Sequence, residues 1–242
     1  MSNEKSNLGS QTVSRLHISK GNGKLHRSVG IFNLPVCRTC PAAGACRWFC
    51  YAMKAEKWPS VLQSRLDNFH ESLKDSFVAG VVDWISRSDV KTFKMHEAGD
   101  LYNQKYVNKW AQIASQCPDV TFFLYTKSLH LDLSPLTILQ NVCVVNSYGG
   151  MFDQRIDKAT DNYAKVIENV HDVQPGEYLC PGVAHSTTET EKICGNLCTY
   201  CLGRTASGKK HKVRVCFVKH MAGWNGPWNP TPIPRSPANR PP

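Results

Sequence analysis

Four cysteines fall within the fourteen residues from Cys37 to Cys50, spaced Cys-x2-Cys-x5-Cys-x3-Cys, and Pro35 and Pro41 keep that loop out of a helix. A second set stands far downstream, Cys180 with Cys194, Cys198 and Cys201, spaced Cys-x13-Cys-x3-Cys-x2-Cys. Any fold open to this chain has to seat these two sets where thiols are useful. With 242 residues, 41% hydrophobic and 20% charged, the chain can bury an ordinary core, so the cysteines are not needed as staples for a small domain.

The N-terminal residues carry no apolar run of the kind a signal peptide needs, and no segment approaches the ~18 apolar residues of a membrane span. The expected compartment is the cytoplasm, with no membrane partner. There, clustered thiols serve as metal ligands or redox groups more often than as disulfides, and an odd total of eleven cysteines agrees. The net charge of +10 is local: nine Lys or Arg and no Asp or Glu follow Glu191, which leaves the first 191 residues at +1. Such a segment can bind nucleic acid, or it can offset the negative charge of thiolates.

Three parts are expected: a flexible or loosely packed segment over 1–28, one α/β metal-binding domain over 29–220, and a Pro-rich extended tail over 221–242. An amphipathic strand is expected near Val13–Ile18 and an apolar strand over Val29–Leu34, leading straight into the first cysteines. Cys46 and Cys50 can share a face of one helical turn, with Trp48, Phe49 and Tyr51 as an aromatic wall. Pro59 and Ser60 start one long helix or two shorter ones to residue 87, and Gln104–Gln116 forms another. Val90–His96, Val120–Tyr125 and Val142–Val145 read as strands that close in polar tips, and Lys158–Asn169 reads as a helix. Tyr178–Leu179 leads into Cys180, and Lys212–Val218 forms a last strand with Cys216 as a buried hydrophobe. The recurrence of strand, polar tip and helix predicts parallel βαβ units in a partial, open β/α barrel, with the cysteine-bearing loops at one face.

Ends of parallel strands are where α/β proteins build sites, so the tips supply the candidates. His96, Glu97, Asp100 and Lys127 are candidate acid-base groups, the bland alternative being a hydrogen-bonded strand end with a helix cap at Asp100. Tyr125, Ser147, Gly149 and Gly150 are candidate cofactor-binding residues, the glycines permitting close backbone approach. Cys37, Cys40, Cys46, Cys50, Cys180, Cys194, Cys198 and Cys201 are candidate metal ligands. Zinc could use the two Cys-x2-Cys pairs, Cys37 with Cys40 and Cys198 with Cys201, but that leaves four thiols spare. The irregular spacings fit one or two [4Fe-4S] clusters better than a single ion.

Several motifs carry a resemblance. Thr39-Cys40-Pro41, Cys46, Cys50-Tyr51-Ala52, His96-Glu97-Ala98-Gly99-Asp100-Leu101-Tyr102, Tyr125-Thr126-Lys127-Ser128 and Ser147-Tyr148-Gly149-Gly150 resemble, in order, the bacteriophage gene product 88 family over about residues 30–220. That resemblance implies a phage protein acting in the host cytoplasm. At the level of fold the chain is also similar to radical S-adenosylmethionine enzymes, which have a partial barrel, a three-cysteine [4Fe-4S] cluster with one open iron, and in some cases auxiliary clusters. Cys194-x3-Cys198-x2-Cys201 matches their spacing, with Tyr200 in the aromatic place, but it stands late in the chain. Cys40, Cys46 and Cys50 stand in the right place with a different spacing. This second resemblance implies S-adenosylmethionine as a cofactor, a small-molecule or redox partner, and redox or radical chemistry. The competing expectation is a non-catalytic zinc or iron-sulfur module that binds nucleic acid through its basic C-terminal part.

Overall fold

Strand alternation sets the architecture. In Thr121–Thr126 (β4), Phe122 and Leu124 join one hydrophobic cluster while Phe123 joins another, because successive side chains leave a strand on opposite faces. In Val142–Ser147 (β5), Val144 likewise sides with the first cluster, and Cys143 and Val145 with the second. Strands so apolar on both faces belong in the middle of a covered parallel sheet.

The computed structural model describes residues 15–181, 194, 198–205 and 208–219. Its sheet adds Ile18–Lys20 (β1), Val29–Phe32 (β2), Thr92–Lys94 (β3), Tyr163–Ile167 (β6), Tyr178–Leu179 (β7) and Arg214–Val218 (β8). The eight strands lie in the order β1-β2-β3-β4-β5-β6-β8-β7. β1 pairs antiparallel with β2, and every other pairing is parallel. The sheet is mixed, mostly parallel and not closed on itself. The expected α/β class and parallel βαβ units are therefore present.

Helices Pro59–Leu73 (α1), Phe77–Ser86 (α2) and Gln104–Gln116 (α3) fall where the sequence places helix, and the short Ser134–Thr137 (α4) is one that it does not announce. Trp110 of α3, fully buried, centres the packing: its ring lies 5.7 Å from those of Phe32, Phe77 and Phe93. Such edge-on aromatic contacts add to the burial itself. Residues 60–87 form two helices, because Lys74 turns extended (φ −73°, ψ 152°). Lys109 holds the break, donating from Nζ to the carbonyls of Ser72 (2.8 Å) and Lys74 (2.6 Å).

The expected helix over Lys158–Asn169 is instead β6 with a short 3-10 turn after it. Tyr163 and Ile167, four apart, suit a helix face, but the segment lies between β5 and β8 and pairs with β8 from Tyr163↔Arg214 to Ile167↔Val218. Tertiary pairing overrides the local period. Around Cys46 the backbone forms a 3-10 turn, Gly44–Trp48, and Cys50 is extended (φ −63°, ψ 108°), so the two cysteines do not share one α-helical turn. Val13 and the segment after residue 219 lie outside the described residues. Among those described, no helix is long and apolar enough to cross a membrane.

β6, β7 and β8 are joined by a buried ionic knot. Glu177 accepts hydrogen bonds from Lys165 Nζ (2.7 Å), Tyr163 Oη (2.9 Å), Gln174 N (2.8 Å) and Cys216 Sγ (3.2 Å). Cys216 is fully buried, as expected of a hydrophobe, yet it also serves as a donor. Burial opposes ionisation of Glu177, but these four donors outweigh it and hold the carboxyl down to about 2. A carboxylate with a depressed folded pKa stabilises above its unfolded value and loses that contribution as pH falls through the folded one. Glu177→Gln should therefore destabilise by about 1–3 kcal/mol at neutral pH. In urea melts the gap between wild type and variant should be constant above pH ~5 and shrink as pH falls from ~4.5 towards 2.

Candidate functional site

Parallel pairing brings the loops after β2, β3, β4, β5 and β7 to one edge of the sheet, and a cavity of about 300 Å³ opens there. Seven of the eight candidate ligand cysteines line it: Cys40, Cys46 and Cys50 from the loop after β2, Cys180 just after β7, and Cys194, Cys198 and Cys201 from the segment before β8. Cys37 does not. Its backbone is left-handed (φ 59°), and its thiol points to Met53 Sδ (4.0 Å) within a small cluster with Val36, Ala52 and Ala98.

The thiols are paired and partly desolvated. Cys50 donates a hydrogen bond to Cys46, and this bond, with help from the Lys127 ammonium and against burial, lowers the Cys46 thiol to about 6. The same bond and burial push Cys50 upward. Burial raises Cys40 strongly. In the late set, a hydrogen bond with Cys180 and then burial raise Cys194, and burial raises Cys201 to about 11. Tyr178 Oη lies 3.7 Å from Cys198 Sγ, and Tyr125 shares a hydrogen bond with Cys201. Among the described residues, no three or more His, Cys, Asp and Glu side chains converge tightly enough to grip one metal ion.

The loop after β2 is set by its neighbours. Cys46 N donates to Gly149 O (3.0 Å) and Met151 N to Ala42 O (3.0 Å). Gly44, at φ +48°, packs so closely on the β5 tip that a Cβ there would lie 2.6 Å from the carbonyl carbon of Gly150. The amides of Gly149 and Gly150 are both taken by the Asp153 carboxylate (2.8 Å each). The two glycines thus dock the cysteine loop, and their N–H groups do not face the cavity. From the other side, Asn33 Oδ1 accepts from Glu97 N (3.0 Å) and Ala98 N (2.9 Å), tying β2 to the β3 tip.

The remaining candidates divide into cavity wall and framework. His96 is buried, its Nε2 lies 2.9 Å from Tyr106 Oη, and burial lowers its pKa to about 3, so it is neutral. Asp100 reaches the cavity wall but knits the tips together, accepting from Leu101 N (2.7 Å), Thr126 Oγ1 (2.6 Å) and Lys127 N (2.8 Å). The helix cap weighed for Asp100 belongs to Asn103, whose Oδ1 accepts from Tyr106 N at the start of α3. Lys127 Nζ donates to Ser147 Oγ (2.7 Å), and both line the cavity with Tyr125 and Glu97. Phe49 and Tyr51 form part of the expected aromatic wall, whereas Trp48 is 74% exposed.

Sequence reading missed Lys24, Lys94, Lys219, Tyr178 and Phe217 on the cavity wall. For Tyr178 and Phe217 a signal existed: they stand in strands beside or near candidate cysteines. The lysines had none, since each lies far in sequence from the thiols it neighbours.

Residues 7–224 match the family described as Gene product 88. Among curated proteins, the "Gene 88 protein" of Mycobacterium phage L5 is 32% identical over 130 residues, covering 46% of this chain and 53% of its own length. The "Gene 88 protein" of Mycobacterium phage D29 matches to the same extent. The chain spans about half the length of the curated relatives it matches. No solved structure matches it, so the likeness to radical S-adenosylmethionine enzymes gains no support from that side. With nine-tenths of its sequence under that one match, and with the thiol, strand-tip and glycine motifs all inside it, the chain belongs to the Gene product 88 family.

Proposed function

We propose that this is an iron-sulfur protein whose early and late cysteine sets hold one or two [4Fe-4S] clusters around a shared cavity, for redox chemistry on a small molecule or with a redox partner. One observation carries the reading: cysteines as distant as Cys40 and Cys201 line the same space. The sheet supports it as a partial barrel, helices covering one face and the late cysteine segment the other, where Tyr200, Cys201 and Leu202 pack on Phe123, Val145 and Val215.

The donors fit such a group in kind and in spread. A single zinc ion needs its four sulfurs about 3.8 Å apart round one centre. Here hydrogen-bonded pairs and single thiols stand around a cavity of about 300 Å³, an arrangement that suits a ligand with several metal corners. Cys40, Cys46 and Cys50 would hold one cluster, and Cys180, Cys194, Cys198 and Cys201 the other. When bound, a cluster supplies one-electron transfer at a potential set by charge and burial. The chain's own residues do the rest. Lys24, Lys94 and Lys127 offset thiolate charge, and Tyr125, Tyr178, Phe49 and Phe217 limit water.

Anaerobically purified protein should be brown and contain about four or eight irons per chain with matching sulfide. Colourless protein with stoichiometric zinc overturns the reading in favour of the non-catalytic zinc module. Cys46→Ser should remove most of the iron of the early set, whereas Cys37→Ser, outside the cavity, should leave iron content nearly unchanged; equal losses would count against this ligand assignment. Gly44→Ala should lower iron content without touching a thiol, because the loop cannot keep its seat on Gly150; the measurement is iron per folded chain, with circular dichroism confirming the fold.

A further inference from the structure

Beside the cavity, the early cysteine loop turns a set of rings towards solvent. Every exposed large aromatic ring among the described residues falls in one eleven-residue stretch: Trp48 (74% exposed), Phe49 (38%), Tyr51 (52%) and Trp58 (68%). Exposed Arg47, Lys54 and Lys57 interleave with them. Between Cys37 and Arg65 the sequence holds one acidic residue, Glu56, and its carboxylate is consumed by Arg65 Nη1 (2.9 Å) and Val36 N (2.8 Å). The stretch thus presents cations without a free anion.

Neither is it a loose loop. It runs through three successive 3-10 turns, Gly44–Trp48, Tyr51–Met53 and Ala55–Lys57. It is fixed from beneath by buried Ala52, whose carbonyl accepts from Arg65 Nη1 (3.1 Å), and by the Glu56–Arg65 pair. Lysines from elsewhere extend its charge: Lys24 Nζ lies 5.7 Å from the centre of the Tyr51 ring and Lys219 Nζ 5.9 Å from that of Phe49. Trp48 and Trp58 have no such cation over them among the described residues. A concentration of exposed rings on a rigid base marks an interaction site.

From these observations we infer that the Arg47–Trp58 arm binds single-stranded nucleic acid, its bases stacking on Trp48 and Trp58 and its phosphates meeting Arg47, Lys54 and Lys57. Flat rings interleaved with cations are the elements of sequence-tolerant single-strand binding, because every base has a face to stack and every nucleotide a charge. Its three short 3-10 turns do not form the continuous amphipathic helix with which a chain lies in a lipid interface. Apart from Lys219 at its border, this site is built outside the basic segment after Glu191, and its stacking rings, Trp48 and Trp58, do not line the cavity.

The test is fluorescence anisotropy of the full-length, anaerobically purified protein with a labelled oligothymidylate, over a range of salt. Three phosphate contacts predict a log–log salt slope of about −2. Trp48→Ala and Trp58→Ala should each weaken binding about tenfold, Trp48→Phe should restore most of the loss, and a combined Arg47→Ala, Lys54→Ala and Lys57→Ala variant should flatten the salt slope. All five side chains are exposed, and far-ultraviolet circular dichroism verifies that each variant is folded. Absence of binding, or binding that these substitutions leave intact, overturns the assignment. So does a surface occupied otherwise: sedimentation with phosphatidylserine vesicles in place of the oligonucleotide, or a homodimer that Trp48→Ala dissociates.

Discussion

Parallel strand pairing is the constraint from which the rest of this molecule follows. Seven neighbouring strands run the same way, so every loop that follows one of them emerges at the same edge. Two cysteine sets separated by well over a hundred residues therefore meet without any direct sequence signal linking them. The antiparallel β1 and the short β7 sit at the two borders of the sheet, where their limited pairing costs little.

The price of gathering thiols in one place is electrostatic, and the structure answers it with lysines and tyrosines. Lys127 stabilises charge on Cys46, Lys24 and Lys94 act on Cys194, and Tyr125 and Tyr178 offer hydroxyl groups to Cys201 and Cys198. Asp100, buried in the same wall, opposes charge on Cys40 and Cys46; burial raises its own carboxyl, and three hydrogen-bond donors from its own and the neighbouring tip act the other way. Local order at the tips thus comes from the hydrogen bonds of Asp100 and Asn33, with His96 Nδ1 and Ser128 Oγ buried without a partner among the described residues, and the apolar core behind them, centred on Trp110, supplies the rigidity.

Much of this was legible in the residues. The parallel α/β class, helices α1 and α3, strands β4 and β5, and the convergence of polar tips are legible because long periodic segments and a Pro at a helix start are local signals; the Asn103 cap of α3 is not among what the sequence reading names. β6 was read as a helix because Tyr163 and Ile167 satisfy both periods, and only its neighbours β5 and β8 decide between them. The sequence suggests Gly149 and Gly150 for close backbone approach to a ligand, whereas what approaches them is Gly44 of the cysteine loop, a contact no spacing rule announces. The position of Cys37 outside the cavity likewise depends on a left-handed backbone that sequence alone does not reveal. The cavity lysines were invisible because each reaches its thiols through tertiary contact alone.

The placement of β8 between β6 and β7 gives synthesis a direction. β7, which precedes Cys180, has β8 as its sole described partner in the sheet, and β8 comprises residues 214–218, near the end of the described chain. A growing polypeptide can complete β2 to β5 and seat its first thiols while the ribosome is still adding residues. It cannot fix Cys180 until Val218 has emerged and inserted beside β6. By geometry the late thiol group therefore matures after the first, and a nascent chain arrested before β8 would display the first group alone.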